Sequence, residues 1–221
     1  MKISSVVFLL SFSFWLPGAS GQTATPSLRR APEMSAWQVT YSSKVEVDPA
    51  HASSAKTSAR IIKTNDIMLI EEWLADGSAT KTWKYQGLIV VPIQDSYALK
   101  DPSFEPDAGP MFKTDFFELA WIQSKDFKGE VVKGKQKLWH FSQAERPGSY
   151  ALDGTQIEAA RAESEAWLDI ETGLPVMARE SIRYWTYEFL APPDAQLVPP
   201  SVISDMVKLY LKYQDPTFLP R

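Results

Sequence analysis

The chain has 221 residues, 44% hydrophobic, 12% aromatic and 23% charged, with 10 Gly, 16 Pro and no Cys. This is the composition of a folded domain with a sizeable core, and 8 Trp, 8 Tyr and 11 Phe exclude disorder for most of the length. Missing thiols exclude disulfides, thiolate zinc sites and cysteine nucleophiles, and a formal net charge of −4 offers no basic field for a nucleic-acid backbone.

Residues 1–21 read as an export signal. Lys2 gives a positive start, residues 6–16 are an apolar run, Pro17-Gly18 breaks it, and Ala19-Ser20-Gly21 supplies small residues for cleavage. The run is shorter than the ~20 residues needed to span a bilayer. Cleavage is expected after Gly21, and no other stretch reaches membrane-spanning length. The one asparagine, Asn65, is followed by Asp66-Ile67, so there is no glycosylation sequon. A bacterial periplasmic or secreted address follows. Residues 22–34 read as a flexible leader, 35–214 as one domain and 215–221 as a tail.

From Trp37 the apolar period is two: Trp37, Val39, Tyr41, Val45 and Val47 alternate with polar residues, a half-buried strand ended by Asp48-Pro49. Strands follow at 58–63 and 67–74 around Asn65-Asp66, at 80–86 after the Asp76-Gly77 turn, and at 88–93, where Pro92 signals an edge or a bulge. Residues 101–110 read as a loop. In 111–123, Phe112, Phe116, Phe117, Ala120 and Trp121 are at helical spacing, predicting a short amphipathic helix. A hairpin about Gly134 joins 130–132 to 136–141. Residues 147–162 carry no clear signal. Residues 167–170 and 176–190 form a last strand pair about Glu171-Thr172-Gly173. After Pro199-Pro200, Ser201 opens a terminal helix with Val202, Met206, Leu209 and Tyr213 on one face. Strands without alternating helices argue against a parallel sheet. The fold class expected is α+β: a curved antiparallel sheet, a half-barrel, with one or two helices covering its concave face.

Candidate chemistry is sparse. His51 and His140 lack partners at metal-ligand or triad spacing and read as structural or surface residues. Residues 129–136 approach a phosphate-binding loop, but Gln136 stands where Ser or Thr is needed and the context is a hairpin. Glu71 and Glu72 point to opposite faces of their strand. Asp115 and Glu118 could share a helix face, and a carboxylate-dependent hydrolase is the third reading. No motif calls for a cofactor or metal. Lys125, Lys128, Lys133, Lys135 and Lys137 make a basic hairpin that either guards a sheet edge or meets an anionic headgroup or an acidic partner. The aromatic residues either fill the space under a curved sheet or line a cavity for an apolar ligand. The ligand-lining candidates are Trp37, Tyr41, Trp73, Trp83, Tyr85, Phe117, Trp121, Trp139, Trp167 and Trp185.

Several segments resemble the LolA-like half-barrel superfamily of periplasmic lipoprotein carriers and outer-membrane lipoprotein-sorting proteins. They are residues 60–73, Asp76-Gly77 leading to Thr82-Trp83-Lys84-Tyr85, and Phe117-Glu118-Leu119-Ala120-Trp121-Ile122 before the Lys-Gly-Lys hairpin. The clearest is Trp167-Leu168-Asp169 with Thr172-Gly173-Leu174-Pro175-Val176. The resemblance implies a concave apolar face that accepts acyl chains, hence a non-enzymatic carrier or sensor whose partners are lipids or lipoprotein acyl chains. The alternative is a structural or interaction protein of the cell envelope, with a filled core and a protein partner on the basic hairpin.

Overall fold

The computed structural model describes residues 26–43, 57–73, 77–101, 114–150, 156–158 and 160–214. The expected signal, His51, the 101–110 loop beyond Asp101, and the tail lie outside them. Eleven strands form one open antiparallel sheet. In spatial order they are β6 (Ser96–Lys100), β5 (Leu88–Ile93), β4 (Ala79–Tyr85), β3 (Ile67–Trp73), β2 (Thr57–Thr64) and β1 (Met34–Ser43). β13 (Arg183–Leu190), β12 (Pro175–Glu180), β11 (Ser164–Asp169), β8 (Gln136–Gln143) and β7 (Phe127–Lys133) continue it. β9 (Ser149–Tyr150) and β10 (Gln156–Glu158) make a small separate hairpin in the segment without a sequence signal. One α-helix, α1 (Ser201–Gln214), closes the described chain. The expected curved antiparallel sheet with a helix is therefore the fold.

The register assigns every strand residue to a face. Trp37 stands opposite Ile61, Ile61 opposite Ile70, and Ile70 opposite Thr82, so these four share one face. Phe189, Tyr187 and Trp185 of β13 join it through Trp37, Val39 and Tyr41. The core on this face runs from Met68 across Trp37 and Ala178 to Ala166, Leu168, Trp139 and Phe141. On the other face Leu69, Trp83, Leu88 and Val90 pack against Ile203 and Val207 of α1. The helix thus covers the face opposite the aromatic core, not the hollow expected to hold it.

Two sequence expectations change. Residues 114–123, the described part of 111–123, do not form the expected amphipathic helix: they hold a bend at 114–115 and a 3₁₀ turn at Phe117–Leu119, followed by a second at Ser124–Asp126. Asp115, Phe116, Glu118 and Leu119 are each directed at the sheet, from the bend and the short 3₁₀ turn that follows it. The expected strand 176–190 is two strands, because Ser181 adopts a left-handed φ of 52° and turns the chain without a glycine. Pro92 stands at a local edge, as expected: β6 borders the whole sheet, but β4 pairs with β5 only as far as Val90, so the missing N–H of Pro92 leaves no bond unmade on that side.

Residues 26–33 have no regular structure but are pinned down. The Arg29 N–H donates to Gly173 O at 3.0 Å, and Ala31 is buried. Gly173, at φ 69°, lies under the Arg29 side chain, where a Cβ would meet its Cγ at 2.8 Å.

Candidate ligand groove

Residues 114–122 lie over the aromatic face as a roof. Phe116 is its wedge: its ring sits 5.4 Å from Trp37, 6.0 Å from Tyr187 and 6.2 Å from Phe189. Asp115 is its anchor. Lys63 Nζ donates to Asp115 Oδ2 at 2.7 Å and to Ala31 O at 2.8 Å, while the Ala31 N–H donates to the same carboxylate oxygen at 3.0 Å. One buried ion pair thereby ties sheet, leader and roof together. Lone burial of either charge would be costly, and the pairing with a backbone donor and acceptor offsets it.

Between roof and sheet lies a groove of about 500 Å³. Its floor rises and falls with side-chain size. The row Trp37–Ile61–Ile70 is bulky, whereas the next row holds Val39 and Ala59 between Tyr187 and Glu72, and the small Ala59 gives depth. Tyr41 and Trp185, 5.8 Å apart, stand at one end, and Met68 and Asp115 at the other. The roof contributes Phe117 and Glu118. The Tyr187 hydroxyl donates a short hydrogen bond to Glu118 Oε1. Burial pushes the Glu118 carboxyl above its usual range, against the pull of that hydrogen bond and of its own backbone N–H. The same burial, with the neighbouring carboxylate, pushes the Tyr187 phenol well up, so Tyr187 stays a donor. Asp115 and Glu118 are therefore each held by a separate partner rather than presented as an acid and base pair.

Of the ten ligand-lining candidates, Trp37, Tyr41, Phe117 and Trp185 meet in the groove. Trp139 and Trp121 belong to the same core beyond it. Trp83 and Tyr85 lie on the opposite face under α1, and Trp73, on that same face by alternation, is 37% exposed. Trp167 also faces away from the groove. It stacks on His140 at 5.1 Å, with Lys133 Nζ 3.6 Å over its ring, and His140 Nε2 lies 3.2 Å from Glu165 Oε1. The basic hairpin is the edge pair β7–β8, turned at Gly134 with φ 63°. Glu71 pairs with Lys81 at 3.0 Å away from the groove, and Glu72 lines it, as their alternation requires. Sequence reading missed Met68, Ile70, Val39 and Ala59 as lining residues. Strand alternation from Trp37 would have found Val39, and nothing assigns Met68, Ile70 or Ala59 to the groove face before the register is known.

No protein-family model matches the chain, and among curated proteins none matches. Among solved structures, the chain is similar to the lipoprotein LppX of Mycobacterium tuberculosis, at 9% identity and a TM-score of 0.37, over 75% of this chain and 90% of that one. It is similar to a LolA superfamily protein from Nitrosomonas europaea, at 9% identity and a TM-score of 0.35, over 76% and 90%. A third similarity is to the MucA/MucB complex of Pseudomonas aeruginosa, at 14% identity and a TM-score of 0.36, over 77% and 57%. Among the described residues no helix is long and apolar enough to cross a membrane.

Proposed function

We propose that this is an exported, non-enzymatic binding protein that holds an apolar chain, from a lipid or a lipoprotein, between the sheet and its roof. The groove carries the reading: about 500 Å³ walled by aliphatic and aromatic side chains, within the range of about 300–1,000 Å³ usual for ligand sites. Asp115 and Glu118 on its wall are each held by a partner, and the rest of the lining is mostly apolar, which suits a site whose affinity comes from burial. Each methylene moved from water contributes about 0.8 kcal/mol, roughly fourfold in affinity.

Titration with n-alkanols of increasing length, followed by the fluorescence of Trp37 and Trp185, tests this. Affinity should climb about fourfold per methylene until the groove is full and then level off. Absence of saturable binding at every length would refute the reading. The export part is checked separately: protein recovered from the periplasm or medium should begin at Gln22, and recovery with Met1 intact from the cytoplasm would contradict it.

A further inference from the structure

A second cavity, of about 300 Å³, adjoins the groove and shares Met68 and Asp115 with its walls. Arg30, Lys63 and Lys84 also line it, against the carboxylates of Asp66 and Asp115. The two lysines are placed by register: Lys63 and Lys84 stand opposite Met68 on its two neighbouring strands, so both flank the groove's end on the groove face. Lys84 Nζ lies 5.8 Å from the centre of the Phe117 ring, which roofs the groove. We propose that this pocket receives an anionic headgroup, phosphate or carboxylate, of an amphiphile whose chain lies in the groove.

The inference rests on the apolar-chain reading and adds the chemistry of the other end of the ligand. Three cations and two carboxylates line the pocket, a balance of one positive charge, and Lys63 and Asp115 are paired with each other. Burial lowers the pKa of Lys84. Asp115 and Asp66 oppose that shift, and the charges of Arg30 and Lys63 reinforce it. An anion placed among these groups would offset both the burial and the like-charge repulsion. Length also agrees. From Met68 to Glu72 the floor runs four residues along β3, ~13 Å, so a chain with its head at Met68 passes the Trp37–Ile61–Ile70 row and reaches the Val39–Ala59–Glu72 row, one row short of Tyr41 and Trp185.

The test compares dodecyl phosphate, dodecanol and inorganic phosphate on the wild-type chain and on Arg30→Gln and Lys84→Gln. Dodecyl phosphate should bind about tenfold more tightly than dodecanol, the scale of one charge-assisted hydrogen bond. Lys84→Gln should bring that ratio close to one. Arg30 is exposed, so Arg30→Gln should fold normally and lower the ratio in part. Inorganic phosphate alone should compete poorly. A ratio near one in the wild type, a ratio untouched in both variants, or inorganic phosphate binding as tightly as the amphiphile would overturn the proposal. If dodecanol binds without a headgroup preference, only the headgroup pocket fails. If neither amphiphile binds, the apolar groove fails with it.

Discussion

Glu118 sits where a carboxylate is hardest to keep ionised, against the groove and bonded to a buried tyrosine. Its raised pKa means that the folded chain binds this proton more tightly than the unfolded chain. The stability so contributed is complete below the ordinary carboxyl value of about 4.3 and is lost as pH rises through the folded value. Glu118→Gln should therefore flatten the decline of melting temperature over that window. A variant as steep as the wild type would assign the slope to other groups. Tyr187→Phe removes the donor and should cost about 1–3 kcal/mol at neutral pH, read by urea denaturation. Lys63→Met leaves Asp115 buried without its partner and should cost about 3–5 kcal/mol, part of which the additional change Asp115→Leu should restore. Sequence reading separated Glu71 from Glu72 because alternation is a local rule. It could not foresee Lys63 with Asp115 or Tyr187 with Glu118, because pairs 52 and 69 residues apart become neighbours only when the sheet folds under the roof.

On α1 the sequence offers two apolar stripes and no local reason to choose between them. The stripe Val202, Met206, Leu209 and Tyr213 is the longer, yet Val202 and Leu209 are more than half exposed, and Ile203 and Val207 are fully buried against Trp83 and Val90. The choice belongs to the sheet, which presents Leu69, Trp83, Leu88 and Val90 as one apolar surface. Ile203→Ala should cost about 2–5 kcal/mol. Leu209→Ala should stay within about 0.5 kcal/mol, as exposed positions do. Equal losses in urea titrations would mean that both stripes are covered. The same limit explains the roof. Helical spacing of Phe112, Phe116 and Ala120 was real, but the groove face offers partners to Asp115, Phe116, Glu118 and Leu119, and those contacts set a tighter turn. Strand positions were legible because period-two burial and turn residues are written locally. The division at Ser181 was not, since a serine gives little warning of a left-handed φ.

For the molecule as a whole, the question is whether the sheet's aromatic face is hollow or filled, and Ala59 decides it. An open antiparallel sheet with a helix on one face must cover the other, and here residues 114–122 do so incompletely, leaving the groove where Ala59 lies between Val39 and Glu72. In a hollow molecule, Ala59→Trp places an indole in existing space and buries apolar area, so the unliganded chain should be as stable as the wild type or more so. In a filled molecule the same change overpacks the core and costs about 1–3 kcal/mol. Ligand response separates the cases again. A saturating alkanol at about 100 times its dissociation constant should stabilise the wild type by about 2.7 kcal/mol. Ala59→Trp, with the groove occupied by its own side chain, should gain almost nothing. A variant that is destabilised, or that still gains the full increment from the alkanol, would place the apolar ligand somewhere other than between this sheet and its roof.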